Sequence, residues 1–214
     1  MKWLTRRGPD EPASVQRWLV VDVETSGLDP RRDRLLAVAA VGVRVGPQRL
    51  SLLPGDSFER VLQQPQAAPP GDKSNILLHG IGVGAQRAGT PGARALHEFD
   101  VFVDGAPLLG FHSAFDRAVL ERAAKQHLGH GLGHRWADLA DLAPVLYPTL
   151  RLQSLDDWLA HFDIPCLTRH QAAADAWATA ELLQRLWPRL LAEGAGARFS
   201  AIQAMATSRR WLAT

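Results

Sequence analysis

Two acidic residues, Asp22 and Glu24, stand two positions apart at the end of the apolar run 18–23. If this run is a strand, both carboxylates project from the same face, because strand side chains alternate. Two carboxylates this close on an apolar strand are costly to ionise unless protons or a cation neutralise them. A hard divalent cation is one explanation. The other is a solvent-exposed strand end whose carboxylates accept hydrogen bonds from the following turn, residues 25–27.

A third acidic residue, Asp116, follows the short apolar segment 106–111 and begins a helical pattern. Functional sites commonly lie where the end of a strand meets the start of a helix. The spacing of Ser113 and Asp116 also matches a capping box, in which the two side chains would only secure the N-terminus of the helix. Asp116 therefore has one chemical and one structural interpretation.

A histidine and a fourth acidic residue, His170 and Asp175, are five residues apart. On one helix they would lie about 140° apart, so they cannot share a helical face as an i, i+4 metal pair would. We therefore expect His170 on the loop or first turn before an alanine-rich helix, with Asp175 inside that helix. A carboxylate in so apolar a stretch needs a partner; the alternative is an exposed histidine and a solvated aspartate.

A sheet and a set of helices must position these candidates. Short apolar runs bounded by glycine or proline predict strands over 18–23, 35–45, 48–53, 106–111 and 136–139. Apolar residues at helical spacing predict helices over 93–103, 114–128, 155–162 and 171–191. Strands first, then helices alternating with strands, indicate an α/β domain. Frequent Gln, Pro and Gly predict a surface loop over 54–74.

Composition favours one soluble domain. The 214 residues are 46% hydrophobic and 21% charged, and no apolar run approaches the roughly 20 residues that span a bilayer. Residues 1–16 lack the apolar core of a secretory signal and are expected to form a short leader. The single cysteine, Cys166, excludes an intramolecular disulfide and favours a cytoplasmic protein. A net charge of +2 is too small to indicate nucleic acid by itself.

Three separated motifs follow one another along the chain: Asp22-x-Glu24-Thr25-Ser26-Gly27-Leu28, His112-Ser113-x-Phe115-Asp116, and His170-x4-Asp175. In order and spacing they resemble the motifs of the DEDDh family of 3′→5′ exonucleases, which includes the proofreading epsilon subunit of bacterial DNA polymerase III. The resemblance covers about residues 17–192 and implies a ribonuclease H-like α/β fold, with a mixed central sheet flanked by helices.

The resemblance also implies a chemistry. Four carboxylates would hold two divalent cations, Mg²⁺ or Mn²⁺, for which oxygen-only ligation is suited: Asp22, Glu24, Asp116 and Asp175. One ion would lower the pKa of a bound water, and the second would stabilise charge on the leaving 3′ oxygen. His170 would act as the general base. The product would be a nucleoside 5′-monophosphate.

Substrate-binding residues are implied in the same way: Thr25, Ser26, Gly27, Leu28, Ile81, His112, Ser113 and Phe115. The Thr25 hydroxyl and the backbone after Glu24 would meet the terminal 3′-OH, and Leu28 would wedge against the last base. Ile81 would pack on a base, unless it is an ordinary core residue. Ser113 stands where many relatives have asparagine, a departure that bears on affinity more than on chemistry.

We therefore expect an exonuclease of the proofreading or repair type, acting on single-stranded nucleic acid or a frayed 3′ end. DNA is favoured over RNA, a DNA polymerase subunit is a candidate partner, and no membrane is involved. The alternatives are a free-standing exonuclease on short RNA and a non-catalytic polymerase-binding subunit. The four carboxylates and the histidine that the resemblance requires are all present, which favours an enzyme. The exonuclease domain is predicted over 17–192, and 193–214 as either a docked helix or a binding site for a polymerase subunit.

Overall fold

The computed structural model describes residues 15–65, 73–166 and 168–212. Within these ranges the strands are β1 (Gln16–Thr25), β2 (Leu35–Val45), β3 (Leu50–Val61), β4 (Leu108–Gly110) and β5 (Trp136–Asp138). The helices are α1 (Lys73–His79), α2 (Val83–Ala88), α3 (Gly92–Val103), α4 (Ser113–Leu128), α5 (Leu139–Leu146), α6 (Leu155–His161), α7 (Ala172–Ala192) and α8 (Phe199–Leu212). None of the helices in the described ranges combines the length and apolar character needed to cross a membrane.

The five strands form one mixed sheet in the order β3-β2-β1-β4-β5. The pairs β1–β2 and β2–β3 are antiparallel, whereas β1–β4 and β4–β5 are parallel. The carboxyl ends of β1, β4 and β5 therefore meet at one end of the sheet. Because α4 follows β4 and α5 follows β5, this end also gathers the starts of two helices.

Apolar residues pack on both faces of β1. Trp18 and Val20 enter a cluster with residues of α5, α6, α7 and α8, while Leu19 and Val21 enter a second cluster with residues of α3 and α4. A strand covered on both faces needs apolar side chains at nearly every position. This explains why the run 18–23 is continuous, with Asp22 as its one charged residue.

Strand β3 is longer than predicted. The surface loop expected over 54–74 is wrong for 54–61, which continue the strand to Val61, and for residues 73 and 74, which begin α1. The register shifts where Gly42 pairs with Leu53 and Val41 with Ser57, so residues 54–56 form a bulge. A proline is tolerated in a bulge because it removes no ladder hydrogen bond there. Residues 66–72 of the predicted loop lie outside the described residues.

The C-terminal segment forms a docked helix. Phe199, Ile202 and Ala206 of α8 are buried in the same cluster as Trp18, whose ring centroid lies 5.2 Å from that of Phe199. Gln203 Nε2 donates to the Trp136 carbonyl at 2.8 Å, which fixes α8 beside β5. At the other end, residues 1–14 of the predicted leader lie outside the described residues. The division into leader, exonuclease domain and tail stays a prediction.

Candidate active site

Three carboxylates converge at the carboxyl end of β1. Strand alternation places Asp22 and Glu24 on the face of β1 that α7 covers, the face that also carries Trp18 and Val20. Asp175 lies in the first turn of α7. One oxygen from each of Asp22, Glu24 and Asp175 lies within 4.8 Å of the others. This spacing suits a shared hard cation, whose oxygen ligands lie about 2.0–2.6 Å from the metal.

The position of α7 depends on small residues near its start. Ala172 and Ala176 flank Asp175 and are almost fully buried. Alanine side chains allow the helix to lie close to the sheet, so that a short aspartate can reach the end of β1. The expectation of Asp175 within an alanine-rich helix, and of His170 on the loop before it, agrees with this structure.

Asp116 reaches the same end of β1 from α4, which packs on the opposite face of the sheet. Its Oδ1 accepts a hydrogen bond from the Val23 backbone N–H at 3.1 Å, and the residue is 5% exposed. The capping-box interpretation is wrong: His112 is the N-cap residue, with φ 59°, and no side chain caps the helix. The Ser113 hydroxyl donates instead to the Ala137 carbonyl at 3.4 Å. Asp116 is therefore directed toward β1.

The carboxylates are electrostatically strained in the absence of a cation. Burial raises the pKa of Glu24 from 4.5 to about 8, with further contributions from Asp175 and Asp116. Burial also raises the pKa of Asp116 from 3.8 to about 7. The pKa of Asp22 is raised well above its ordinary value by burial and then by the neighbouring carboxylates. Such a cluster is neutralised by protons or by a cation, so the residues fit a divalent metal.

The alternative of a solvated strand end does not agree with these surroundings. Asp22 and Glu24 are only partly exposed. In the following turn, the Ser26 hydroxyl donates to Asp33 Oδ1 at 3.0 Å, and Thr25 Oγ1 donates to the Gly27 carbonyl at 2.6 Å. Both turn hydroxyls therefore donate to groups of the loop.

These pKa directions predict how the stability of the metal-free protein depends on pH. The pKa values of Glu24 and Asp116 are higher in the folded state than in the unfolded state. At a pH between the unfolded and the folded value, the folded state therefore binds more protons than the unfolded state. The free energy of unfolding should therefore fall as the pH rises from about 5 to about 8. Thermal unfolding in EDTA across this range should show a falling Tm, and adding Mn²⁺ should raise the Tm more at the upper end. A Tm that rises with pH in EDTA would contradict the assignment.

His170 is joined to the cluster through its backbone. It adopts φ 61° in the loop that ends at the N-cap residue Gln171, and its N–H donates to Asp175 Oδ2 at 3.0 Å. The preceding residue, Arg169, contacts Asp175 Oδ1 through Nη1. The loop before α7 thus bonds the backbone of His170 to the cluster without making the residue part of the helix.

Loop 26–34 presents the residues predicted to meet the 3′ end. Leu28 is 89% exposed at the tip of this loop. The Asp33 carboxylate accepts from the Asp29 backbone N–H at 2.8 Å, and a Cβ at Gly27 would come within 2.5 Å of the same carboxylate. From α4, Arg122 donates to the Pro30 carbonyl at 2.9 Å and also to the Asp33 carbonyl. An apolar side chain is therefore held in solvent on an anchored loop.

The remaining predicted substrate-binding residues lie in two places, beside Glu24 and around the start of α4. Ile81 lines a cavity of about 230 Å³ together with Glu24, Gln171 and the buried His79. By contrast, Phe115 packs partly buried against the core between the sheet and α3 and α4. Of the other residues of the second motif, Ser113 is buried and His112 is exposed. Where each of these stands relative to a bound substrate stays a prediction.

Several residues of the site were not anticipated. Arg169 contacts Asp175, Arg122 and Asp33 anchor loop 26–34, and Asp138 Oδ1 accepts from the backbone N–H groups of His112 (3.0 Å) and Ala140 (2.9 Å). Asp138 carried a recognisable signal, because it is a polar residue at the carboxyl end of a short strand. The arginines carried none, since each one meets its partners only when separate elements of the fold pack together.

A mixed five-stranded sheet of this order, flanked by helices, defines the class of ribonuclease H-like folds, and here it bears a carboxylate cluster at the end of its central strand. A model of the exonuclease family RNase_T matches residues 19–183. The chain belongs to this exonuclease family, as the resemblance carried by its three motifs had indicated.

Curated relatives include DNA polymerases that are much longer than this chain. DNA polymerase III PolC-type of Halalkalibacterium halodurans is 31% identical over 176 residues, which cover 82% of this chain and 12% of that protein. The PolC-type enzyme of Caldanaerobacter subterraneus is 27% identical over 183 residues, 86% of this chain and 12% of the relative. The chain thus spans a small part of the length of these relatives.

Solved structures with a similar fold include Exonuclease I of E. coli. Its complex with a dT13 oligonucleotide superposes with a TM-score of 0.71 at 20% identity, over 84% of this chain and 43% of that chain. A zinc-bound form in complex with single-stranded DNA gives a TM-score of 0.67 at 20% identity, over 83% and 43% of the two chains. At this identity the likeness concerns the fold, and it confirms the predicted fold class.

Proposed function

We propose that the protein is a metal-dependent 3′→5′ exonuclease that releases nucleoside 5′-monophosphates from DNA ends. The observation that carries the proposal is the convergence of Asp22, Glu24 and Asp175 within 4.8 Å, beside a loop that holds His170. These residues come from two elements far apart in sequence, and burial together with the neighbouring carboxylates raises the pKa values of Asp22 and Glu24. Such an arrangement is costly to the fold, and a cation that function requires would explain it.

Asp22, Glu24, Asp116 and Asp175 would hold the cations. Their donor set consists of oxygen atoms alone, which suits Mg²⁺ or Mn²⁺. When bound, two such ions would supply Lewis-acid activation of the attacking water and charge stabilisation at the leaving 3′ oxygen. The Val23 N–H that binds Asp116 Oδ1 orients this carboxylate and leaves Oδ2 as its second acceptor atom.

His170 would take the proton of the attacking water on its imidazole. Its ring is carried by a loop, and its backbone N–H donates to Asp175. One hydrogen bond therefore fixes the proposed base relative to a proposed metal ligand. A general base must lie within hydrogen-bond reach of the proton that it removes. The loop position allows the ring to turn toward the cluster while the backbone stays in place.

The substrate would enter with its 3′ end over loop 26–34. The Thr25 hydroxyl and the backbone of Ser26 and Gly27 would meet the terminal sugar, and the exposed Leu28 would separate the last bases. On the other side of Glu24, Ile81 lines the neighbouring cavity and would pack against a base. His112, Ser113 and Phe115 complete the proposed set at the start of α4.

DNA is the preferred substrate in this proposal. The PolC-type relatives are DNA polymerases, and two of the Exonuclease I structures are complexes with dT13 and dA16 oligonucleotides. The chain corresponds to about an eighth of a PolC-type relative, which supports a DNA polymerase subunit as a partner. The proposed role is removal of nucleotides from a single strand or a frayed 3′ end.

The direction and substrate can be tested with matched DNA and RNA oligonucleotides labelled at the 5′ end. In Mg²⁺ or Mn²⁺ the label should move through a ladder of products shortened one nucleotide at a time, faster for DNA than for RNA, and EDTA should stop the reaction. Immediate release of the label as a mononucleotide would show the opposite direction. Faster loss of RNA would favour an exonuclease on short RNA. Absence of products with every metal would favour a non-catalytic binding subunit.

A further inference from the structure

A positive charge is already present at the edge of the carboxylate cluster. Arg169 contacts Asp175 Oδ1 through Nη1 and the Asp156 carboxylate of α6 through Nε. The Asp175 side chain is 8% exposed, that of Arg169 23% and that of Asp156 63%. The guanidinium therefore bridges an exposed carboxylate on α6 to a buried one on α7.

This contact leaves Asp175 with both of its oxygens engaged. Oδ1 faces the Arg169 guanidinium and accepts weakly from Cys166 Sγ at 3.7 Å, and Oδ2 accepts from the His170 N–H at 3.0 Å. A divalent cation that took Asp175 as a ligand would have to share or displace one of these partners. The His170 bond comes from a backbone group, whereas the Arg169 side chain can turn away and keep its contact with Asp156. We therefore expect a bound cation to displace Arg169 from Asp175.

The charge balance of the cluster supports the same conclusion. Burial and the neighbouring carboxylates raise the pKa values of Asp22 and Glu24, and Arg169 acts on both in the opposite sense. A guanidinium stays protonated at any ordinary pH. Arg169 thus supplies part of the positive charge that the cluster needs when no metal is bound.

We propose that Arg169 is a built-in counter-ion that competes with the divalent cation for Asp175, so that metal binding releases the Arg169 side chain from Asp175. This inference rests on the proposed function, because it assumes that the cluster binds a divalent cation. It makes Arg169 a positioning residue: it holds the loop before α7 against Asp175 and α6 in the metal-free protein, and it limits the affinity for the metal.

The test is Mn²⁺ binding to metal-free protein, measured by calorimetry, for the wild type and Arg169→Gln. Loss of one competing charge at a partly buried position should tighten Mn²⁺ binding by about three- to tenfold. In EDTA the variant should unfold at a lower temperature than the wild type, and Mn²⁺ should raise its Tm by more. Arg169→Lys keeps the charge and should bind Mn²⁺ nearly as the wild type does.

Arg185→Gln is the matched control, because it removes the same charge from an exposed position on α7, about 15 Å along the helix axis from Asp175. It should leave Mn²⁺ affinity unchanged. Asp156→Asn should weaken Mn²⁺ binding in the wild-type background, because Arg169 then pairs with Asp175 alone. It should have no effect in the Arg169→Gln background. If Asp156→Asn lowered Mn²⁺ affinity equally in both backgrounds, Asp156 would not act through Arg169, and the inference would be overturned.

Equal or weaker Mn²⁺ binding by folded Arg169→Gln would overturn the inference while leaving the metal site intact. The failure of the proposed function has a different signature, since the wild type itself would then bind no Mn²⁺. If Arg169→Gln does not fold, Arg169→Lys and Asp156→Asn still decide, because the first should preserve the wild-type affinity and the second should lower it. Opposite results for these two would reject the counter-ion role.

Discussion

Hydrolysis should be lost when Asp22 is replaced by asparagine, with kcat lowered by at least about 10³-fold, which corresponds to the several kcal/mol that a metal centre contributes to charge stabilisation. The amide is nearly the same size as the carboxylate but lacks its charge, so the fold should remain while the cation is bound poorly. The same change removes a carboxylate whose pKa is raised by burial and by the neighbouring carboxylates, and which is therefore costly to ionise in the folded protein. In EDTA the variant should therefore be at least as stable as the wild type.

The control for Asp22→Asn is Asp104→Asn, which makes the same change at an exposed position with φ 47°. Asparagine tolerates this left-handed backbone conformation, so both stability and hydrolysis should be retained. Wild-type activity in a carefully purified Asp22→Asn protein would defeat the metal assignment. A lower Tm in EDTA would show that Asp22 instead stabilises the fold.

Replacing His170 by asparagine should separate proton transfer from metal binding. We expect kcat to fall by about 10²- to 10⁴-fold, the usual contribution of a general base. Asparagine tolerates the φ of 61° at this position, and its backbone N–H can still donate to Asp175 Oδ2. Mn²⁺ affinity should therefore change little. The measurements are steady-state hydrolysis of a single-stranded oligonucleotide and Mn²⁺ binding on the same preparations.

His97→Ala provides a matched loss of an imidazole, from an exposed position on α3. It should retain both hydrolysis and metal binding. An unchanged kcat for His170→Asn would exclude His170 as the general base. A loss of Mn²⁺ affinity equal to the loss of kcat would make the histidine a metal ligand and not a base.

Much of the fold could be predicted because a strand that is buried on both faces appears in the sequence as a continuous apolar run. Strand β2 was predicted with its observed bounds, since an apolar run 11 residues long ends at Gly46-Pro47. Strand β3 was predicted too short, because a bulge over 54–56 interrupts its pattern with proline and glycine. Helices α1, α2 and α5 were missed; the first two are seven and six residues long, and α5 contains Pro144.

The acidic residues of the site were accessible from sequence for a different reason. Asp22, Glu24 and Asp175 lie in otherwise apolar segments, where a charge is unexpected without a partner. Arg169 gave no such signal, because an arginine beside a histidine is ordinary on a loop. Its importance arises from Asp156 and Asp175, which come together only when α6 and α7 pack. The same holds for Arg122, whose partner loop lies about 90 residues earlier.

The most direct test of the central claim is calorimetric titration of metal-free protein with Mn²⁺, comparing the wild type with Asp22→Asn. The account predicts that the wild type binds Mn²⁺ and that the variant binds it at least about tenfold more weakly, because one carboxylate ligand has become a neutral amide. Equal binding by the two proteins, or no binding by the wild type, would contradict the claim that this cluster is a metal centre.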